Sequence, residues 1–199
     1  GESYEHLYDL LEICDVPMCL DAEALNLMAE RPELWKLIHC PVVITPHPKE
    51  MARLVGSTTQ AVQADRIGLA SSFAMDRNCV VVLKGAHTVV ASPDGFSVVI
   101  GAGNPGMATG GSGDVLAGVI GAFLAAGLEP ERAACGGALL HAVAGDNAAE
   151  RLGEADAIYH GADIAPAILA RARADATRHP LEDAPDAPRK GFALILKRG

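Results

Sequence analysis

The chain has 199 residues, half of them apolar and 21% charged, and carries a net charge of −9. This length and composition fit one globular domain and exclude a disordered chain. The acidic balance excludes nucleic acid as a partner, because such binding draws on clustered Lys and Arg, and no apolar stretch reaches the roughly 18 residues of a membrane span.

The first fifteen residues, GESYEHLYDLLEICD, are acidic and lack a signal-peptide pattern, so a cytoplasmic protein is expected. Val16–Leu20 (VPMCL) reads as a strand and Asp21–Met28 as the start of a helix. Val42–Thr45, after Pro41, is a compact apolar strand that leads into PHPKE and a helix through EMARLV. Thr58–Arg77 carries Val62, Ile67, Leu69, Ala70, Phe73 and Ala74 at helical spacing. Cys79–Leu83 (CVVVL) is a continuous apolar run, as expected of a strand buried on both faces. Strands alternating with helices imply a parallel sheet with crossovers. Val89–Ala91 and Phe96–Ile100 flank the turn signal Ser-Pro-Asp-Gly and predict an antiparallel hairpin. Asp114 then opens a helix that Gly127 closes, and helices follow at Glu131–Leu152 and Ile164–Ala176. The domain is expected over 1–176, with an acidic, proline-rich tail over 177–199 in which FALILK finds no assignment. Five cysteines without a CxxC pair read as free thiols in a reducing compartment, with no structural metal.

Two features point to chemistry. Asp21, the Thr45–His47 turn and Lys84 each follow a predicted parallel strand, where ligands of open α/β sheets bind. Residues 103–118, GNPGMATGGSGDVLAG, hold six glycines and one aspartate. Glycine loses more backbone freedom on folding than any other residue, so such a run needs a reason. Gly110, Gly111 and Gly113 let consecutive N–H groups converge at a helix N-terminus, which makes an anion site suited to phosphate. The run is neither a Walker loop nor a dinucleotide fingerprint. Asp114, held ionised by the helix dipole, is either a base for a hydroxyl attacking phosphorus or simply the helix cap.

NPGMATGGSGD resembles the signature of the ADP-dependent NAD(P)H-hydrate dehydratases, within the ribokinase-like superfamily. LDAEALNLMA, VVITPHPKEMARL, VVLKGAHTVVASPDG and ALLHAVAGDNAAERLG followed by ADI also match, in the family's order. The resemblance implies a ribokinase-like three-layer α/β sandwich, with a mostly parallel central sheet and an antiparallel hairpin. It implies repair of the hydrates of NADH and NADPH, with ADP (ATP in some relatives) consumed and Mg²⁺ as cofactor as the ring hydroxyl is lost. On that resemblance His47, Asn104 and Asp114 face the hydrate, with Asp114 the catalytic base. Lys84, Gly85, Ala86, His87, Thr88 and Gly113 hold the nucleotide, and Gly111, Ser112 and Gly113 form the anion hole. Read on their own, His47 is a structural turn histidine and Lys84 an exposed strand-end lysine, while Asn104 either shapes the loop or lines the pocket. His141, Asp146 and Asp163 match family positions without an assigned chemistry, with His141 and Asp146 read as helix-packing or capping groups, and Glu50 suits a helix start or a place near Mg²⁺. Lys49 and Glu23 depart mildly from the family pattern. Members normally carry a further portion of the domain ahead of the LDAEAL segment, so the chain reads as N-terminally incomplete. A homo-oligomer is expected. A small-molecule kinase of the same superfamily, or a nucleotide-binding subunit without turnover, are the alternatives.

Overall fold

The computed structural model describes residues 2–152 and 193–195. Among the described residues six strands form one sheet in the order β5-β4-β3-β2-β1-β6. They are β1 (Met18–Leu20), β2 (Val42–Ile44), β3 (Val80–Leu83), β4 (Val89–Ala91), β5 (Ser97–Val99) and β6 (Ala193–Ile195). β6, β1, β2 and β3 run parallel, whereas β4 and β5 pair antiparallel and extend the sheet as a hairpin. Each residue of β1, β2 and β3 is buried, as their unbroken apolar runs require of strands covered on both faces.

Period-2 alternation divides those strands between two cores. Met18, Leu20, Val42, Ile44, Val81 and Leu83 face a layer built from α1 (Glu2–Ile13), α2 (Glu23–Glu30), α3 (Pro48–Leu54), α4 (Thr59–Ala64) and α5 (Arg66–Arg77). Cys19, Val43, Val80 and Val82 face α6 (Ser112–Ala125) and α7 (Pro130–Leu152). The sheet therefore lies between two helical layers. α6 and α7 approach closely: a Cβ on Gly137 would sit 2.6 Å from Ile120 Cγ1.

The differences from the sequence reading have local causes. Patterning assigns nothing to residues 2–13, yet they form α1, with Leu7 and Leu11 buried one turn apart and Tyr4 and Tyr8 packed beside them. The single helix expected over Thr58–Arg77 is two, because Asp65 ends α4 and caps α5, its carboxylate accepting the Gly68 N–H at 2.9 Å. α6 starts at Ser112 rather than at Asp114, with Gly111 as its N-cap at φ 83°. Within the stretch read as a tail, Ala193–Ile195 pairs in parallel with β1, so part of FALILK belongs to the sheet. The helix expected at Ile164–Ala176 lies outside the described residues.

Candidate functional site

The alternation that sorts the two cores continues past the strand ends. One residue beyond β1, β2 and β3, the side turned towards α6 and α7 carries Asp21, Thr45 and Lys84 in place of aliphatic side chains. The backbone holds them in order, with Thr45 N–H donating to Leu20 O at 3.1 Å and Lys84 N–H to Pro46 O at 2.9 Å. Lys84 Nζ reaches across the end of β2 to Asp21 Oδ1 at 2.7 Å, with Glu50 Oε2 at 4.0 Å. Asp21 is 2% exposed and Glu50 6%, so two nearly buried carboxylates share one ammonium. Thr45 is fully buried, and its Oγ1 has no hydrogen-bond partner among the described residues.

His47 and Glu50 come from the turn after β2. His47 is the N-cap of α3: its Nδ1 accepts the Lys49 and Glu50 N–H groups at 3.1 Å, while Glu50 Oε2 accepts the His47 N–H at 2.7 Å. This reciprocal capping box puts a histidine where Ser or Thr is usual, and it fixes Glu50 beside Lys84. His47 Nε2 stays 3.4 Å from Glu50 Oε1, on a side chain 44% exposed.

The glycine turn closes the site from the α6 side. Gly111, the N-cap of α6, takes its left-handed backbone without a Cβ penalty, and no side chain caps the helix. Gly113 permits a close approach: a Cβ there would lie 3.3 Å from Lys84 Nζ and 3.6 Å from Asp21 Oδ2. Ser112 Oγ lies 3.3 Å from His141 Nε2 of α7, and both residues are buried. Burial pushes His141 down to about 4, against an opposing hydrogen bond with Ser112 and with a further lowering from Lys84. It is therefore neutral at pH 7. Asp114 follows in the first turn of α6 and is exposed; the capping position is Gly111.

Residues 84–88 turn from β3 into β4. Arg66, from the start of α5, holds this turn by donating to Leu83 O at 3.0 Å and to Ala86 O. Thr88 Oγ1 donates to Gly85 O at 3.2 Å, and His87 has a left-handed φ of 56°. Gly85, Ala86 and His87 are exposed at the rim.

The structure thus brings Lys84, Gly113, Ser112 and the His47 turn together at the carboxyl ends of the parallel strands. Asn104 is held in the preceding loop, donating to Asp146 Oδ1 at 2.9 Å and accepting the Gly106 N–H at 3.1 Å. Sequence reasoning assigned no chemistry to His141 or Asp146, whose contacts cross 29 to 43 residues. Asp21 and Glu50 were legible as strand-end and helix-start residues, but their convergence on Lys84 was not. Asp163 lies outside the described residues. Among the described residues no group of three or more His, Cys, Asp or Glu could hold a metal ion, and no helix is long and apolar enough to cross a membrane.

Comparison with known proteins shows the family and the fold. The profile of the NAD(P)H-hydrate dehydratase family matches residues 2–166. The ADP-dependent (S)-NAD(P)H-hydrate dehydratase of Neisseria meningitidis is 46% identical over 160 residues, 79% of this chain and 54% of that protein. The bifunctional NAD(P)H-hydrate repair enzyme Nnr of Moorella thermoacetica is 48% identical over 146 residues, 73% of this chain and 28% of that protein. The chain thus spans about half or less of these relatives. Among solved structures, the ADP/ATP-dependent NAD(P)H-hydrate dehydratase of Bacillus subtilis, co-crystallized with ATP/Mg²⁺ and soaked with CoA, superposes with a TM-score of 0.72. It is 32% identical, and the match covers 86% of this chain and 62% of that one. A ribokinase-like superfamily protein from Enterococcus faecalis, at 23% identity and a TM-score of 0.64 over 86% of this chain and 68% of that one, shares the fold. The fold is ribokinase-like, and the chain belongs to the NAD(P)H-hydrate dehydratase family.

Proposed function

We propose that this chain carries the phosphate and base apparatus for ADP-dependent dehydration of NADH and NADPH hydrates. The observation that carries the reading is the approach of Gly113 to the Lys84–Asp21 bridge. It joins a helix N-terminus, a glycine-rich turn and a lysine at one point, a combination suited to a phosphoryl group, although the Ser112 N–H itself donates to Thr109 O at 3.4 Å.

In this reading Lys84 to Thr88 and Gly113 bind the nucleotide. The N–H groups of Gly111, Ser112 and Gly113 face charge developing on the transferring phosphoryl oxygens. Asp114 takes the proton from the ring hydroxyl of the hydrate, whose oxygen bonds to the terminal phosphorus of ADP as the bond to AMP breaks. The C–O bond of the resulting ester then breaks with release of phosphate. The neighbouring ring carbon gives up a proton, and the ring double bond of NADH is restored. His47, half exposed beside Glu50, lies on the hydrate side, and Asn104 contributes by shaping the loop. The donor set fits Mg²⁺ only in company with the nucleotide, since the ion prefers oxygen ligands and is bound by one or two carboxylates together with substrate phosphates. Asp21 and Glu50 are the carboxylates at hand. Bound there, the ion would neutralise phosphate charge.

Calorimetric titration tests the nucleotide half of the reading: the chain should bind ADP or AMP more tightly than NADH, and Thr88→Ala should weaken that binding. Tight NADH binding with no adenine-nucleotide binding would reject it. A stable phosphorylated product, with no NADH formed from the hydrate, would instead indicate a kinase.

A further inference from the structure

We propose that one stripe of α7, formed by His141, Ala142, Gly145 and Asp146, is the template that shapes the glycine-rich loop 103–113, with His141 and Asp146 as positioning residues. The consequence for phosphate rests on the function proposed above; the shaping of the loop does not.

Residues 103–113 contain five glycines, no charged residue and a single short 3-10 turn, Pro105–Met107. The backbone hydrogen bonds within it are local, each closing a turn of two or three residues between Asn104 and Ser112, and ordering its backbone costs more entropy per residue than usual. Such turns do not fix how the segment as a whole lies, and α7 adds that constraint along one face. Positions 141, 142, 145 and 146 have the i, i+1, i+4, i+5 spacing that lines one side of a helix.

Together the four positions hold the loop at its start, at Met107 and at its far end. Asp146 Oδ2 accepts the Gly103 N–H at 2.9 Å, and its Oδ1 accepts Asn104 Nδ2 at 2.9 Å. Asn104 passes the constraint on by accepting the Gly106 N–H. Ala142 lies 3.5 Å from where a Cβ on Gly103 would stand. Gly145 leaves room for Met107, whose Sδ would be 2.3 Å from a Cβ there. His141 holds the far end through Ser112 Oγ. The stripe is itself anchored, since Ala133, Ala134, Ala138 and Ala142 of α7 are buried in the core under the sheet.

Ordinary helix packing would need neither carboxylate nor imidazole. Here both polar groups reach towards the loop, and Asp146 uses both of its oxygens to do so. Asp146→Asn places an NH₂ against that of Asn104. Adding Asn104→Asp reverses the pair: the new carboxylate at 104 accepts from the amide at 146 and from the Gly106 N–H, and the amide oxygen at 146 accepts from Gly103. For His141, His141→Leu deletes the link to Ser112 and His141→Gln retains a polar end near it.

Hydrogen exchange of the free protein, read by mass spectrometry, tests the proposal, with the Val80–Leu83 amides as an internal reference. Asp146→Asn and His141→Leu should each speed exchange across 103–113 by about tenfold and leave the reference unchanged. The Asn104→Asp/Asp146→Asn pair and His141→Gln should restore slow exchange. Unchanged loop exchange in both single variants overturns the template. So does acceleration shared equally by the reference strand, or failure of the reversed pair to restore the loop. ADP titration of the same proteins separates the two readings: the loosened variants should show a dissociation constant raised about tenfold, as expected for loss of a hydrogen bond that holds the loop. No ADP binding by the wild type, with the exchange response intact, would leave the template standing and remove the nucleotide reading.

Discussion

Lys84→Met removes the ammonium from between Asp21 and Glu50 while keeping most of the side chain's length. Asp21 is 2% exposed and lies 2.7 Å from Nζ, so its carboxylate is left buried without its cation. Breaking a buried pair from one side costs about 3–5 kcal/mol. Lys84 retains 20% of its side-chain exposure, so the lower end, about 3 kcal/mol, is expected. For a domain of this size that lowers Tm by roughly 6–12 °C. The reverse change is milder. Asp21→Asn keeps an oxygen acceptor and leaves Lys84 with Glu50 at 4.0 Å, so its cost should stay near the ~1 kcal/mol of an ordinary hydrogen bond. The double variant should regain at least half of the Lys84→Met loss, because the stranded charge is gone. Urea unfolding of the four proteins gives the coupling energy directly. A Lys84→Met loss below about 1 kcal/mol, the size found for exposed ion pairs, would refute the argument that this bridge is buried.

Gly113→Ala should weaken ADP binding without lowering Tm, since the new Cβ stands 3.3 Å from Lys84 Nζ at a helical position where Ala is favoured over Gly; calorimetry with thermal melting checks both. Thr45→Val should leave stability unchanged or raise it by up to about 1 kcal/mol, because it deletes a buried hydroxyl without a partner; a clear loss of Tm would show that the hydroxyl is satisfied. Burial holds His141 at about 4, against 6.5 for the unfolded chain, so its neutral form favours the native state. That contribution is complete above pH 6.5 and is lost as pH falls from 6.5 through about 4, to a total of about 3 kcal/mol. Urea midpoints from pH 8 to 4 should therefore fall more steeply in the wild type than in His141→Leu.

The parts of the fold legible in the sequence are those whose signal is local. VVI and VVVL carry their burial on both faces in their own composition, and Ser-Pro-Asp-Gly marks its hairpin. Asp21, Thr45 and Lys84 were visible as polar residues at strand ends, because a period of two and a run length suffice to place them. The glycine turn was visible too, since no ordinary helix start spends so many glycines. What was hidden depends on partners far along the chain. The closing Ala193–Ile195 becomes a strand only through β1, more than 170 residues away in sequence. His141 and Asp146 look like helix interior until the loop they hold is folded against α7. Asp65 interrupts what reads as one helix because its side chain competes for a backbone N–H, an outcome that apolar spacing does not register. His47 as an N-cap was equally concealed, since capping preferences favour Ser, Thr, Asp and Asn.

The proposal that Asp114 is the base is tested most directly by NADH fluorescence recovered from its hydrate with ADP and Mg²⁺, comparing wild type with Asp114→Asn. Gly111, not Asp114, occupies the cap of α6, and Asp114 is exposed in the first turn. Its loss should therefore change stability by no more than the 0.3–1 kcal/mol or so of a charge at a helix dipole. Turnover should fall by about 10²–10⁴-fold, the range associated with losing a general base, while ADP affinity and Tm stay close to wild type. An Asp114→Asn protein that keeps more than about a tenth of wild-type turnover would contradict the assignment, because general-base catalysis contributes far more than that.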